Sequence, residues 1–278
     1  MKKLFLGSVA LVALGLGAPA AFAAERAVPA YTPPPPPPPA YTWSGCYVGA
    51  SAGSSSGRST HFTTAGSTLF GTTTVVPAGA NITDSFNLSG FIGGGQIGCN
   101  WQWGAWVFGI EGDGSATNKD GQAFETALAS LPGLSARAGW ISQTQERWLV
   151  TARGKLGLTN FWWFGPQTLV YVTGGGAWAK IDTSEFLPGG AGCAPGGIAV
   201  NCGVQDSATR SGWTVGGGLE YALGYGWSAR GEFLYVKFDD FTTLTNGPFN
   251  RNNVTSHEVR LEDFIWRAGM NYKFNWGY

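Results

Sequence analysis

The chain of 278 residues contains 44 glycines, and 14% of its residues are aromatic, but only 12% carry a charge. Its 17 basic and 17 acidic residues cancel, so the composition lacks the positive surface of a nucleic-acid-binding protein. The apolar share of 44% excludes a disordered chain, and beyond the N-terminus no apolar run is long enough to cross a bilayer as a helix. This composition favours β-structure with many turns.

The N-terminal residues have the features of a secretory signal peptide. Lys2 and Lys3 precede an apolar run over residues 4–18, and Ala21-Phe22-Ala23 offers the small-x-small pattern that signal peptidase recognises. The run is interrupted by glycines and is too short to span a membrane as a helix. We therefore predict that residues 1–23 are cleaved and that the protein is exported.

A proline-rich segment follows the predicted cleavage site. The uninterrupted prolines at 33–39 favour a polyproline II conformation, which has no ladder of hydrogen bonds to join. We predict that residues 24–42 form an extended periplasmic spacer. Docking of this segment into an aromatic groove of a partner is the alternative.

Downstream of Trp43, apolar residues alternate with small or polar ones, the pattern of strands with one apolar face. In the last such run, Trp266 and Phe274 fall on one face, while Arg267 and Lys273 fall on the other. We predict eight strands, at about 45–55, 88–100, 105–114, 146–158, 168–181, 210–222, 226–238 and 262–274.

The predicted connections alternate strictly between long and short, at about 32, 4, 31, 9, 28, 3 and 23 residues. Compact soluble domains rarely contain four structureless loops of such length. Outer-membrane barrels, in contrast, combine short periplasmic turns with long external loops. Export, low charge and aromatic residues near strand ends, such as Trp101 and Trp227, indicate that the apolar face meets lipid.

We therefore predict an all-β fold, an eight-stranded antiparallel transmembrane β-barrel of the outer-membrane type, over residues 43–278. Lipid cannot satisfy the free edge of a sheet, so the strands must close on themselves. The predicted location is the outer membrane of a Gram-negative bacterium, with the N-terminus in the periplasm.

The alternation places charged side chains inside this barrel. A buried charge without a partner costs several kcal/mol, so we predict a salt-bridged network that largely closes the lumen. An open pathway lined by charged rings is the alternative. The predicted pairs are Glu111 with Arg153, Glu220 with Arg230, and Glu232 with Arg267. The complete predicted network is Glu111, Asp113, Arg153, Lys155, Glu220, Arg230, Glu232, Arg267 and Lys273.

Several strand motifs occur in a fixed order. They are GGGQIGCNWQ from Gly93, WVFGIEGD from Trp106, TARGKLG from Thr151, YVTGG from Tyr171, GWTVGGGLEY from Gly212, WSARGEFLYV from Trp227 and RAGMNYKF from Arg267. In combination they resemble the small outer-membrane immunogenic (surface antigen) porin-like proteins of alphaproteobacteria, which are similar in fold to the transmembrane domain of outer membrane protein A. The resemblance implies an abundant surface protein with a structural role.

The pattern Gly269-x-x-Tyr272-x-Phe274 resembles the C-terminal assembly signal that the outer-membrane barrel insertion machinery reads. That signal usually ends at the last residue, whereas here residues 275–278 follow and end in the aromatic Tyr278. The resemblance implies the barrel-assembly machinery as a partner.

Four cysteines in an exported protein suggest two disulfides, for which three connectivities exist. Antiparallel pairing of the first two strands brings Cys46 and Cys99 to the same end and the same outer face. Cys193 and Cys202 lie close together in one loop among glycine and proline residues. We predict the pairs Cys46–Cys99 and Cys193–Cys202, with free thiols or a metal site as the alternative.

The two histidines, His61 and His257, fall in predicted loops, and no nucleophile elbow is present. We therefore predict no enzyme activity and no catalytic, cofactor-binding or metal-binding residues. The predicted function is that of a structural surface barrel whose external loops serve envelope integrity or surface contacts. Its expected partners are outer-membrane lipid and lipopolysaccharide, not nucleic acid, and contacts with peptidoglycan or a host surface are left open. A narrow porin for small solutes is the first alternative, and a surface enzyme is the second.

Overall fold

A computed structural model of the chain describes residues 41–64, 67–68, 75–76, 78–81, 83–124, 126, 141–160, 165–186, 205–246 and 254–274. The chain divides into two compact units, Met1–Pro39 and Ala40–Tyr278. All described residues belong to the second unit, so the predicted signal peptide and the prolines of the spacer lie outside them. Within these ranges, no helix combines the length and hydropathy needed to cross a membrane.

The described chain forms β-strands almost throughout. They are β1 (Gly45–Thr63), β2 (Ser67–Thr68), β3 (Val75–Val76), β4 (Phe86–Trp103), β5 (Trp106–Phe124), β6 (Ile141–Thr159), β7 (Thr168–Phe186), β8 (Gln205–Gly224), β9 (Trp227–Phe238), β10 (Phe241–Asn246) and β11 (Val254–Phe274).

Eight antiparallel strands close into a barrel. The order is β1-β4-β5-β6-β7-β8-β9-β11, and β11 pairs back with β1. β9 and β10 both pair with β11 and together make the seventh barrel strand, while β2 and β3 form a separate small sheet. Lys237 lies opposite Glu262 and Phe241 opposite Val259, so the interruption at residues 239–240 adds one residue, as in a β-bulge. The predicted eight-stranded antiparallel barrel is confirmed.

Tight connections join the strands at one end of the barrel, which we call the turn end. Residues 104–105 join β4 to β5, and residues 225–226 join β8 to β9. Tyr225 and Gly226 both have positive φ angles, of 53° and 83°, as a two-residue hairpin turn of type I′ requires. We call the opposite end the loop end.

The strands continue further towards the loop end than the hydrophobic pattern predicts. β5 ends at Phe124 instead of near residue 114, and β6 begins at Ile141 instead of near residue 146. The outward side chains of this extension include Asn118 and Asp120, which are exposed and polar. The hydrogen-bonded pairing of β5 and β6 therefore continues beyond the residues whose outward side chains are apolar.

The outer face consists of two belts. From the turn end, outward side chains are apolar, aromatic or glycine, as from Trp106 to Ala116 on β5 and from Phe274 to Phe264 on β11. This apolar band has the width that a tilted strand needs to cross the hydrocarbon core, about 9–11 residues. A polar collar lies on the loop-end side of this band. Counted from the band, the first outward residue of the collar on each barrel strand is Ser54, Ser89, Asn118, Arg147, Lys180, Ser211, Lys237 or Glu262.

The barrel interior is filled in three layers. A turn-end cap consists of Trp43, Val107, Leu169, Tyr171 and Ala222. Above it lies a layer of charged side chains. Above that is an apolar layer built from Phe86, Leu88, Ile92, Leu149, Ala177, Ala179, Ile181, Leu234, Val236, Phe238, Phe241, Val259, Leu261 and Ile265. An eight-stranded barrel is just wide enough for side chains to fill it in this way.

Candidate functional site: the charged lumen

The charge layer is built from inward positions of five strands, where the alternation of each strand points long polar side chains into the barrel. All of its members are at most 5% exposed. It consists of Glu111 and Asp113 on β5, Arg153 and Lys155 on β6, Glu220 on β8, Arg230 and Glu232 on β9, and Arg267 on β11.

Glu111 is one of the two carboxylates of the layer that several bases share. Arg153 Nη2 lies 2.5 Å from its Oε1, and Arg230 binds both of its oxygens, at 2.6 and 3.0 Å. Lys155 Nζ adds a contact of 3.2 Å, and the Tyr47 hydroxyl donates a hydrogen bond of 2.5 Å. Charge-assisted and bidentate bonds of this kind are the strongest in proteins, so Glu111 is held from several walls at once.

Glu232 is the second carboxylate of the layer that several bases share. Arg153 Nη1 lies 3.1 Å from Glu232 Oε1, and Arg230 Nη2 lies 2.5 Å from the same oxygen. The Arg267 guanidinium binds Glu232 Oε2 with its Nε at 2.7 Å and Asp113 Oδ1 with its Nη1 at 2.6 Å. β11 and β5 are not neighbours in the sheet, so the contact between Arg267 and Asp113 crosses the lumen.

The layer is electrically balanced. Its acids are Glu111, Asp113, Glu220 and Glu232, and its bases are Arg153, Lys155, Arg230 and Arg267. Buried ions need matched charge and satisfied hydrogen bonds to offset their desolvation. A balanced, cross-linked layer therefore joins opposite walls of the barrel.

Neutral side chains complete the network, and the charge pattern of the sequence did not single them out. The Tyr171 hydroxyl donates to Glu232 Oε1 at 3.0 Å. Asn271 Nδ2 donates to Glu220 Oε1 at 2.8 Å, and Gln96 Nε2 donates to the Asn271 amide oxygen at 2.9 Å. The signal for Gln96 and Asn271 was available, since both occupy inward positions of their strands.

Two of the three sequence-predicted pairs are in contact, Glu111 with Arg153 and Glu232 with Arg267. Glu220 and Arg230 do lie opposite each other in the strand register, but they bind other partners. Arg230 reaches Glu111 and Glu232, whereas Glu220 accepts hydrogen bonds from Ser228 and Asn271. The long side chain of Arg230 extends to the barrel axis, so the shorter Ser228 is the residue that binds Glu220 near the wall.

Lys273 does not join the charge layer. It lies near the end of β11, where its ammonium donates a hydrogen bond to the Thr42 carbonyl and lies 4.3 Å from the centre of the Tyr41 ring. The side chain is only half-buried. The alternation assigns Lys273 to the inner face correctly, but its height in the barrel puts it at the turn-end mouth.

Trp43 closes that mouth and was predicted only as the start of the barrel. It is 2% exposed, its backbone N–H donates to Gln102 Oε1 at 2.7 Å, and its indole N–H donates to the Pro166 carbonyl at 3.2 Å. The Tyr41 ring packs edge-on against Trp43 with a centroid distance of 5.0 Å. Burial, with a contribution from the charge of Glu220, raises the pKa of Tyr41 to about 12, so its hydroxyl stays neutral.

A second charged cluster lies within the apolar layer, and we call it the upper triad: Lys119, Glu146 and Asp263. Lys119 Nζ lies 2.7 Å from Glu146 Oε2 and 2.5 Å from Asp263 Oδ2, and all three side chains are fully buried. Sequence reasoning missed the triad because the predicted third strand stopped near residue 114. Lys119 nevertheless shares the inner face of β5 with Glu111 and Asp113.

The disulfide between Cys46 and Cys99 is present, and the two residues lie opposite each other in the register of β1 and β4, so this predicted pair is confirmed. Cys193 and Cys202 lie outside the described residues. In the predicted assembly signal, Tyr272 and Phe274 face outward near the turn end, and Gly269 lies opposite Ser51 of β1.

The placement of both histidines in loops is wrong. His61 belongs to β1, is 3% exposed, and has its Nε2 3.3 Å from Thr144 Oγ1. His257 belongs to β11, opposite Thr63. Among the residues that the structure describes, no group of three or more His, Cys, Asp or Glu side chains is arranged to hold a metal ion.

Residues 8–274 match the sequence profile of the outer membrane protein beta-barrel domain. The chain is 29% identical to the 31 kDa outer-membrane immunogenic protein of Brucella melitensis biotype 1, over 99% of the chain and 100% of that protein. OprG from Pseudomonas aeruginosa is a similar solved structure, with 11% identity, a TM-score of 0.45, and coverage of 83% of this chain and 96% of its own. Ail of Yersinia pestis has 10% identity, a TM-score of 0.36, and coverage of 82% and 99%.

Proposed function

This chain belongs to the outer membrane protein β-barrel domain family, and we propose that it is a structural surface protein of the Gram-negative outer membrane, with a lumen closed to solutes. One observation carries the proposal: the interior is filled from Trp43 through the charge layer to the apolar layer. A solute would have to displace a buried indole and separate ion pairs that cross the lumen, such as Arg267 with Asp113.

The proposed orientation places the turn end in the periplasm and the loop end outside the cell, as is usual for outer-membrane barrels. Residue 41 lies at the turn end, next to Lys273, which supports a periplasmic N-terminus. In this orientation, residues 1–23 serve as the export signal and residues 24–42 as a periplasmic spacer.

The polar collar then extends into the head-group region of the outer leaflet. Its outward residues include ion pairs such as Arg147 with Asp182, at 2.8 Å, and Lys237 with Glu262, at 3.6 Å. Paired charges on a rigid sheet suit contact with lipopolysaccharide, and the loops above it serve contacts with the surroundings of the cell. The barrel-assembly machinery is the proposed partner for insertion, through Gly269, Tyr272 and Phe274.

A conductance measurement distinguishes a closed structural barrel from a narrow porin. Refolded wild-type protein is added to a planar lipid bilayer and compared with a Trp266→Ala variant, which changes only the apolar band. We expect no stable single-channel steps from either protein. Large and stable steps from the wild type contradict the proposal and favour passive diffusion of small solutes.

A further inference from the structure

The upper triad has unequal charge. It contains one ammonium, from Lys119, and two carboxyl groups, from Glu146 and Asp263, all with fully buried side chains. The charge layer below it contains as many acids as bases. If both carboxyl groups of the triad were ionised, the apolar layer would enclose one uncompensated negative charge.

The carboxyl oxygens that point away from Lys119 have no donor. Glu146 Oε1 and Asp263 Oδ1 are both buried and accept no hydrogen bond. One ammonium contacts both carboxyl groups, at 2.7 and 2.5 Å, and therefore holds them side by side. Two adjacent carboxyl groups without other donors have the arrangement in which one proton is shared between them.

Among the ion pairs between described residues, Lys119 is the one cation that contacts Glu146 or Asp263. The other inward groups near the apolar layer that can carry positive charge are Arg210 of β8, which stacks on Phe241 and pairs with Asp206 at 2.9 Å, and His61 of β1. β1 contributes the Ser55 hydroxyl, which lies 3.4 Å from Lys119 Nζ, and β7 places Ile181 opposite Glu146. On β11 the inward neighbours of Asp263 are Leu261 and Ile265, both buried and apolar. The nearest arginine along that face, Arg267, is bound to Asp113 and Glu232.

Burying an ionised carboxylate in apolar surroundings costs more than protonating it. We propose that the upper triad is a proton-binding site, in which Glu146 and Asp263 share one proton in a carboxyl–carboxylate hydrogen bond. The proton comes from water, no covalent bond between heavy atoms changes, and the triad becomes neutral.

Polar side chains lead from this site towards the loop end. Thr144 is the next inward residue of β6 on that side, and its hydroxyl lies 3.5 Å from Ser59 Oγ and 3.3 Å from His61 Nε2. The opposite direction is closed by the charge layer and the turn-end cap. The site therefore exchanges its proton with the loop side of the barrel.

The position of the triad agrees with such exchange. Lys119 lies between Asn118 and Asp120, which are exposed, and Glu146 adjoins Arg147 of the polar collar. The triad is thus level with the lower edge of the collar, above the apolar band.

The test is the pH dependence of unfolding, in wild-type protein and in Glu146→Gln. A carboxyl group that keeps its proton in the fold makes unfolding more favourable as pH rises above the ordinary glutamate value of about 4.3. The equilibrium constant for unfolding in urea, followed by heat-modifiable gel mobility, should rise about tenfold more per pH unit in wild type than in Glu146→Gln, from about pH 5 to about pH 7. Glu262→Gln, which removes an exposed carboxyl next to Asp263, should behave as wild type.

Infrared spectroscopy of the wild-type protein provides a readout that needs no variant to fold. At neutral pH we expect the carbonyl stretch of a protonated carboxyl group, which shifts in deuterated water and is absent from Asp263→Asn or Glu146→Gln. Equal pH slopes in wild type and Glu146→Gln, or no such band in wild type, overturn the proposal. Stability that instead depends on sodium or potassium concentration also overturns it, because a metal cation would then hold the place of the proton.

Discussion

Arg230 on β9 and Glu111 on β5 meet across the barrel lumen in a two-point ion pair, with N–O distances of 2.6 and 3.0 Å. They are 119 residues apart in the chain and lie on strands that are not neighbours in the sheet. Their contact joins opposite walls of the barrel at the depth of the apolar band. The barrel is therefore stabilised both by the hydrogen bonds between neighbouring strands and by ion pairs that cross its lumen.

The first prediction concerns the charge layer in the lumen. Glu111→Gln removes the carboxylate shared by Arg153, Arg230 and Lys155 and leaves the buried layer with one more base than acids. We expect a loss of about 3–5 kcal/mol in the free energy of unfolding, measured by urea titration in lipid vesicles. Asp182→Asn, which breaks an exposed pair with Arg147, is the control and should cost less than about 1 kcal/mol. Equal effects of the two variants contradict a central role of Glu111.

The second prediction concerns the turn-end cap. Trp43→Ala removes a fully buried indole and its hydrogen bond to the Pro166 carbonyl, so we expect a loss of about 3–5 kcal/mol in the free energy of unfolding. Trp103→Ala is the matched control, because Trp103 lies at the same end of the barrel but is 83% exposed. A gel assay of the temperature at which each variant loses its compact mobility should show the larger drop for Trp43→Ala. A larger drop for Trp103→Ala would mean that the cap contributes little.

The third prediction compares two glycines of the barrel wall. A Cβ at Gly98 would lie 2.5 Å from the Tyr47 hydroxyl oxygen, whereas a Cβ at Gly231 would meet no atom within 4 Å. Gly98→Ala should therefore displace Tyr47 from Glu111 and cost about 1–3 kcal/mol. Gly231→Ala should change stability by less than about 1 kcal/mol. Urea titration of both variants decides the matter, and a tolerated alanine at residue 98 would show that the Tyr47 ring can move without loss.

The fourth prediction concerns the disulfide. The bond between Cys46 and Cys99 spans a sequence separation of 53 residues and restricts the unfolded chain. Its removal in a Cys46→Ser, Cys99→Ser double variant should lower the free energy of unfolding by about 2–4 kcal/mol. The same titration on wild type with a reductant should approach the value of the variant.

The matching control replaces Cys193 and Cys202 by serine and leaves the bond between β1 and β4 intact. A non-reduced digest of this control should still contain the peptide pair that joins Cys46 to Cys99. Reductant sensitivity that persists in the Cys46→Ser, Cys99→Ser variant would assign the effect to another disulfide.

Period-two alternation was sufficient to predict the strands and the inward face of the charged residues. The signal is local, because neighbouring side chains of a strand point to opposite faces, and lipid on one side makes that contrast strong. It placed Arg153 and Glu232 inside, and antiparallel pairing of the first two strands was enough to join Cys46 to Cys99. The signal weakened at the polar collar, because the outer face there is polar and the inner face carries both polar and apolar side chains. The strand extension that holds Lys119 was missed for this reason.

The sequence by itself therefore determined the number of barrel strands, their inner and outer faces and the short turns, since these follow from the chemistry of adjacent residues. Only the tertiary structure decided which inward side chains meet. Arg230 binds Glu111 instead of Glu220, Lys273 lies at the turn-end mouth, and Trp43 fills that mouth. These contacts form because closure of the barrel sets the relative heights of strands that are far apart in the chain. Those heights depend on the stagger of all eight strands together, which no local pattern contains.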